Sequence, residues 1–420
     1  LKLLKTNDGE ATMAEDGTKS IIVTFKRKDR RADKKKDKAE LVSAAVDRAV
    51  TLLDSRVVTP EVIRSLDPAE IGYDVNEFEA PIVTLRVTAK EAAALRKDPN
   101  VASVEEDGRM YALGHGHDTG ALLFEDQPTV QAETVPAGIN QVKAPLAWDA
   151  TRGKGVKVAV LDTGIDFNHP DLAANYRGGV SFVPDESNPM DYNRHGTHCA
   201  GIIAAALNGV GVVGVAPAAY LYAVKVLSRS GSGNWSWLIA ALDWCVKNGM
   251  HVASMSLGGS APAAVQTMCD LAFARGVLLV AAAGNSAGPV EHPARYGSVI
   301  AVSAIDGANQ LASFSCRGPE VELCAPGVQV LSTVPGGGYA RLSGTSMACP
   351  HVSGAAALAW STHRFPPAGL NTNVAIRRLL AATADNLGVP GRDNNFGFGR
   401  VDAEQAAFEF AVPPAIPGIP

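Results

Sequence analysis

No cysteine occurs before residue 199, and no uninterrupted apolar run reaches the ~18 residues that a membrane-crossing helix needs. The nearest approach, residues 201–226, is broken by Asn208, Pro217 and several glycines. A strong net charge is lacking as well. The 38 Lys and Arg against 43 Asp and Glu leave −5, so nothing global points to nucleic acid or to an anionic membrane. The chain has no recognisable secretory signal and does not begin with Met, as expected if a leader has been removed or the chain trimmed. Its six cysteines, Cys199, Cys245, Cys269, Cys316, Cys324 and Cys349, allow many complete pairings, and spacing does not choose among them.

At 420 residues the chain is long enough for a large core and more than one domain. Charge is unevenly spread. Residues 1–113 hold 20 Lys and Arg and 21 Asp and Glu, while all the rest holds 18 and 22. A charge-dense front therefore meets a core-rich remainder near residue 110. The polar stretch 1–19 reads as a disordered start. Strands are expected at 20–25, 80–87 and 101–104, with helices at 40–53 and from the capping box Thr88 to Glu91 up to Leu95. Residues 20–113 thus form a small α+β domain, and the Lys-, Arg- and Asp-rich run 26–38 reads as a solvated loop. Residues 114–131 read as a linker, its His115 and His117 as solvent-exposed, and 413–420 as a Pro-rich tail.

Between them, residues 132–412 alternate buried strands with helices. Continuous apolar runs at 156–161, 220–226, 252–256, 276–281 and 299–303 suit parallel strands, and helical spacing covers 236–248 and 263–275. The expectation is an α/β domain with a parallel central sheet and helices on both faces.

The chemistry centres on Gly344-Thr345-Ser346-Met347-Ala348, where a tight turn leads into a small-residue run suited to a buried helix. A serine there meets unpaired helix N–H groups that stabilise negative charge. A serine hydroxyl is a weak nucleophile at neutral pH and needs a base, an orienting acid and an oxyanion donor. Asp162 ends the first strand of the sheet, where functional groups of open α/β sheets gather. His195 opens a helix in His195-Gly196-Thr197-His198, and Asn285 follows the buried strand that ends Ala281-Ala282-Ala283-Gly284. The order Asp, His, Ser is one of those in which serine-protease triads occur.

These four segments together resemble the subtilases, the subtilisin-like serine proteases, over residues 132–410. The resemblance implies catalytic Asp162, His195 and Ser346, with Asn285 as oxyanion donor and His198 as a second, non-catalytic histidine. It implies that Ser256, Leu257, Gly258 and Gly259 pair with substrate backbone and form one pocket wall. Ala282, Ala283 and Gly284 would form the other, and Ser230, Gly231 and Ser232 a second pairing edge. Trp235 would lie near the pocket four residues before the cut. With no acidic residue in those walls, an apolar or aromatic side chain is expected before the cut, although Glu291 in the short loop 286–292 can reach the rim. Residues 21–26 and 95–107 resemble the family's inhibitor propeptide, which assists folding, blocks the site and is cut off by the enzyme itself. That places the cut between Leu113 and Gly114, with a cut inside the linker 114–131 as the rival. The loop 206–212 resembles the family's calcium loop, implying carbonyl ligands from Ala206, Val210 and Val212, the Asn208 side chain, Asp171 and Glu133. Oxygen ligands suit Ca²⁺. A second, weaker cation site is expected near Ala294, Tyr296 and Val299. The protein is accordingly expected to be a secreted monomeric endopeptidase in proenzyme form, with protein and peptide substrates and no membrane or nucleic-acid partner.

Other readings fail on context. Gly209-x-Gly211-x-x-Gly214 matches a dinucleotide fingerprint, but a helix precedes it and Pro217 follows, which disfavours an NAD-dependent oxidoreductase. Asp162-Thr163-Gly164 matches an aspartic-protease triplet, but that mechanism needs two carboxylates sharing a proton, and the other Asp-Thr-Gly, at residues 118–120, stands in the Gly-rich linker rather than at a strand end. A non-enzymatic binding protein on the same fold has no need of all four catalytic residues. Among the cysteines, Cys199 with Cys349 and Cys316 with Cys324 are candidate bridges, although small buried residues is the reading favoured for Cys199 and Cys349. Cys245 and Cys269 read as core.

Overall fold

The computed structural model describes residues 18–25, 82–97, 101–113, 132–363, 371–409 and 414–419. The expected helix at 40–53, the basic run 26–38, the linker 114–131 and Gly114 lie outside them. The chain divides into two compact units, residues 1–108 with 262–264, and residues 109–261 with 265–420.

In the first unit, β1 (Lys19–Phe25) lies between β2 (Ile82–Val87) and β3 (Val101–Glu106) in an antiparallel sheet, with α1 (Ala89–Leu95) between β2 and β3 in sequence. Ile21 faces Leu85 and Val23 faces Val83 in the register, so alternate apolar residues share one face. The Thr88 carbonyl accepts from the Ala92 N–H at 3.0 Å, closing the first turn of α1.

The second unit begins with β4 (Arg109–Ala112) and α2 (Ala137–Gln141). Then come β5 (Lys157–Asp162), α3 (Pro170–Ala173), β6 (Tyr176–Ser181), α4 (His195–Ala204), β7 (Tyr220–Lys225), β8 (Ser232–Asn234) and α5 (Trp235–Lys247). They are followed by β9 (Val252–Met255), β10 (Leu257–Gly258), α6 (Ala263–Ala274), β11 (Leu278–Ala282), β12 (Val299–Ile305) and β13 (Val321–Pro326). A hairpin of β14 (Val330–Val334) and β15 (Gly338–Leu342) leads to α7 (Thr345–Thr362), α8 (Thr372–Ala382) and α9 (Ala403–Phe408).

Seven strands form one parallel sheet in the order β13-β12-β11-β9-β5-β7-β6. The five apolar runs are its five inner strands. Val158, Ala159, Val160 and Leu161 of β5 are buried without alternation, as a sheet covered on both faces requires. The two outer strands are not apparent in the sequence. β6 carries Arg177, Gly178 and Gly179, and β13 carries Glu322. Glu322 is tolerated because Arg377 of α8 donates to both its oxygens, at 2.8 and 2.5 Å, satisfying two charges that burial would otherwise penalise. Helices α4 and α7 are buried on nearly every side and pack against each other. Their first turns bring His195 and Ser346 to the same end of the sheet as Asp162, beside the point where chain order reverses between β7 and β9.

All six cysteines are buried free thiols, so neither candidate bridge forms. Cys199 and Cys349 serve instead as weak donors, to the Ser346 carbonyl at 3.4 Å and the Val280 carbonyl at 3.5 Å. Cys324 sits in β13 with its pKa raised by burial.

Candidate active site

Strand β5 delivers Asp162 fully buried. Its Oδ1 accepts from the Thr163 N–H at 2.7 Å and from His195 Nδ1–H at 2.8 Å. That bond selects the tautomer with the other ring nitrogen, Nε2, available as a base. Burial works against a charged His195 ring, but the attraction of Asp162 outweighs it and holds the pKa well above the ordinary 6.5.

Asp191, which sequence reasoning passed over, locks the two segments together. Its carboxylate accepts from Thr163 Oγ1 at 2.9 Å, the Asn193 and Arg194 N–H groups at 2.8 and 3.0 Å, and Thr197 through N–H and Oγ1 at 2.9 and 2.6 Å. It thereby caps the helix that begins at His195, while Thr163 Oγ1 accepts from the Gly196 N–H at 2.9 Å. The signal was there in Asp191-x-x-x-His195-Gly196-Thr197, an acid just ahead of a helix start. Gly196 is obligatory: a Cβ there would lie 2.1 Å from the Gly164 carbonyl.

Ser346 opens α7. Four residues on stands Pro350, which has no N–H to return to the Ser346 carbonyl. That carbonyl accepts instead from Ser256 Oγ at 2.9 Å and from the Cys199 thiol, whose sulfur is 4.0 Å from His195 Nδ1. The Ser346 hydroxyl lies 3.2 Å from the Ser256 carbonyl and donates to the Leu113 carbonyl. Asn285 Oδ1 accepts from Thr345 N–H and Oγ1, both at 2.8 Å, which turns the amide nitrogen toward the same Leu113 carbonyl at 2.9 Å.

The remaining substrate-side expectations fall around residues 109–113. β4 forms an antiparallel three-stranded sheet between β10 and β8, pairing Ala112 with Leu257, Tyr111 with Gly258 and Ser232, and Met110 with Gly233. The Leu113 N–H donates to the Ser256 carbonyl at 3.1 Å, and the Ala112 N–H to the Gly231 carbonyl at 2.9 Å. Ser230 Oγ lies 2.9 Å from Ser232 Oγ at the foot of that edge. Trp235 is buried near Gly259 and the Met110 backbone, with its indole N–H on the Ser260 carbonyl at 2.8 Å. Ala282 ends β11, and Ala283 and Gly284 follow it directly.

The Glu291 N–H donates to the Ala283 carbonyl at 2.9 Å, and the Gly259 N–H to the His292 carbonyl at 3.2 Å. Loop 286–292 is thereby pinned to both segments, and it brings the Glu291 side chain close to Gly258 and Gly284.

The loop 206–212 folds against Asp171. This carboxylate is fully buried and its partners are neutral: Asn208 Nδ2 at 3.2 Å, the Val212 N–H at 2.9 Å and the Tyr339 hydroxyl at 3.0 Å. Glu133 Oε1 accepts from the Asn208 and Gly209 N–H groups at 2.7 and 3.1 Å. A buried carboxylate with neutral partners, an amide and a second carboxylate is a set of groups that fits Ca²⁺. Near the expected second cation site a guanidinium is already in place: Arg377 donates to the Gly297 and Val299 carbonyls at 2.9 and 3.4 Å.

Comparison with known proteins gives matches over both units. Residues 153–399 match the profile described as subtilase family, and residues 20–113 match that of peptidase inhibitor I9. M-protease of Shouchella clausii (strain KSM-K16) is 46% identical over 406 residues, covering 94% of this chain and 93% of that protein. Subtilisin E of Bacillus subtilis (strain 168) is 48% identical over 319 residues, 74% of this chain and 76% of its own length. Subtilisin of Bacillus pumilus is 50% identical over 284 residues, 66% of this chain and the whole of that protein.

Proposed function

The chain belongs to the subtilase family and is a serine endopeptidase with an inhibitor I9 domain, and from that premise we propose that it is a self-processing proenzyme acting through an acyl-enzyme on Ser346. The observation that carries the reading is the Leu113 carbonyl, which accepts from both the Ser346 hydroxyl and the Asn285 amide. A peptide bond about to be cut needs its nucleophile and its oxyanion donor on the same carbonyl.

In the proposed reaction Ser346 Oγ attacks the carbonyl carbon while its proton passes to His195 Nε2. The C–N bond then breaks as His195 returns that proton to the departing amine, leaving an ester on Ser346. Water, deprotonated by His195, hydrolyses the ester and restores the serine. Asp162 keeps the ring oriented and stabilises its transient charge. Asn285 donates to the oxyanion from a position that Thr345 has already fixed, so little reorganisation is needed. Main-chain pairing with both edges, as residues 110–113 pair, allows many sequences, with an apolar or aromatic side chain in the place Leu113 takes. The same reading makes residues 20–113 the intramolecular inhibitor, 114–131 a linker, 132–412 the catalytic domain and the enzyme an exported monomer. Among the described residues no helix is long and apolar enough to cross a membrane.

Calcium enters the reading as a structural ion. Asp171, Asn208, Glu133 and the carbonyls of Ala206, Val210 and Val212 would hold it. When bound, the ion offsets the buried carboxylate charge and cross-links the loop.

The test compares wild type with Ser346→Ala, each purified with calcium, by intact mass and N-terminal sequencing over time. Wild type is expected to lose its front segment and begin at Gly114, while the variant stays whole. A different start overturns the cleavage position. Equal cutting of both proteins, or of neither, overturns self-processing.

A further inference from the structure

The pocket that receives the Leu113 side chain is a slot between two walls whose key positions are glycines. A methyl at Gly258 would lie 2.8 Å from Leu113 Cδ1 and 3.0 Å from Glu291 Oε2. A methyl at Gly284, on the other wall, would lie 2.8 Å from Glu291 Oε1 and 2.8 Å from Cys316 Sγ. The carboxylate thus lies close against both walls, and at Gly258 it shares that wall with the end of the leucine. Among the described residues the hydrogen-bond donor to the carboxylate is the Ser286 hydroxyl, at a long 3.4 Å. Among the described residues no basic side chain pairs with it; the nearby Arg295 is engaged by Glu320 at 3.2 Å. A partly buried carboxylate with one weak donor retains acceptor capacity for an incoming cation.

This inference rests on the proposed protease reading and deepens it. We propose that Glu291 is a substrate-recognition residue that extends the substrates to those with Lys or Arg before the cut. A lysine or arginine stem can run along the same two walls as Leu113. Its cationic head lies two or more atoms past the leucine methyls, at the depth where the carboxylate waits. The pocket therefore serves two classes: apolar side chains that stop short of Glu291, and long basic ones that reach it. An acidic side chain is excluded by like charge.

Ionisation of Glu291 governs the second class. Burial pushes its pKa above the usual carboxylate range, opposed by the Ser286 hydrogen bond. The titratable groups around it are His292, whose pKa burial lowers, the Cys316 thiol, and the Arg295–Glu320 pair. As pH rises through the Glu291 pKa the carboxylate becomes charged, and preference for Lys and Arg over Leu rises with it.

The experiment uses the processed enzyme and otherwise identical peptide amides with Leu, Lys, Arg or Glu before the cut. The readout is the ratio of kcat/KM for Lys to that for Leu, which cancels both the active fraction of each preparation and the titration of His195. In wild type Lys and Arg peptides are expected to be cut, and the ratio to rise from pH 5 to pH 8. In Glu291→Gln the ratio is expected to fall about tenfold or more, the loss of a charge-assisted hydrogen bond, and to become independent of pH. The Glu peptide should be poorest in wild type and gain relative to Leu in the variant. Cleavage of Leu but not Lys or Arg peptides overturns the proposal, as does an unchanged ratio in Glu291→Gln. Should the variant fail to fold, a wild-type ratio that stays flat with pH is enough to overturn it. Absence of cleavage of every peptide would instead overturn the protease reading beneath it.

Discussion

At Asn285 and His195, single hydrogen bonds decide how well the site performs. Asn285 is held by its oxygen, through Thr345, so that its nitrogen is presented with no rotation left to lose. In a subtilisin, removing the oxyanion-donating Asn lowers kcat about 10²–10³-fold. The same loss is expected for Asn285→Leu here, with KM little changed, as steady-state kinetics on a peptide amide would read. A loss carried mainly by KM would make Asn285 a binding group only. For His195 the sign follows from its role. The base must be neutral to accept the serine proton, and Asp162 raises its pKa. The kcat/KM profile is therefore expected to climb with pH through a midpoint above the ordinary 6.5. Asp162→Asn should lower both that midpoint and the rate, the rate by about 10⁴-fold. A midpoint unmoved by Asp162→Asn would show that another group titrates.

Among the helices, α4 and α7 carry buried imidazoles that tie acidity to stability. His198 Nε2–H is within 3.0 and 3.1 Å of the Val330 and Ala340 carbonyls, and burial lowers its pKa to about 3. His351 lies within 2.7 Å of the Met347 carbonyl, and burial lowers its pKa to about 4. Unfolded, both rings take up protons near 6.5; folded, they resist. Between 6.5 and these folded values the unfolded chain binds more protons, so stability is whole above 6.5 and falls as pH drops through the interval. The cost is on the order of several kcal/mol. Urea unfolding of Ser346→Ala from pH 7.5 to pH 4 should show this decline, and His198→Asn should make it shallower; an unaltered slope would assign the decline to other groups. The same elements show what a sequence reveals. The inner strands β5, β7, β9, β11 and β12 were legible because burial on both faces leaves an unbroken apolar run. The outer strands β6 and β13 were not, because glycines and a charge neutralised by a distant arginine erase that signal. β4 escaped notice because Leu257 and Ser232, with which it pairs, lie more than a hundred residues away. Asp162, His195, Asn285 and Ser346 stood in recognisable local motifs. Asp191 carried a fainter local signal, an acid just ahead of a helix start, while the meaning of Glu291 lies in walls that only folding brings near.

For the whole molecule, the question is what holds distant segments together when no disulfide does. All six thiols are free and buried, so a reducing agent should leave the melting temperature of Ser346→Ala unchanged. The loop 206–212 is the better candidate for a cross-link. Asp171 joins α3 to Val212 and to Tyr339 of β15, and Glu133 joins residues near the start of the second unit to Asn208. An ion bound among these oxygens stabilises the folded chain by mass action, about 4 kcal/mol when its free concentration is a thousandfold above Kd. Excess EDTA is therefore expected to lower the melting temperature of Ser346→Ala by several degrees, with Ca²⁺ restoring it. Mg²⁺ should restore it poorly, because it holds its waters more tightly and demands a stricter octahedron than a carbonyl-rich loop offers. Asp171→Asn separates the ion from the scaffold: the neutral amide keeps a similar shape while removing a charged ligand, so this variant should melt lower with calcium and respond less to EDTA. Calorimetry of both proteins with and without chelator decides the matter. Equal melting of Ser346→Ala in EDTA and in Ca²⁺ would leave the loop held by its hydrogen bonds alone.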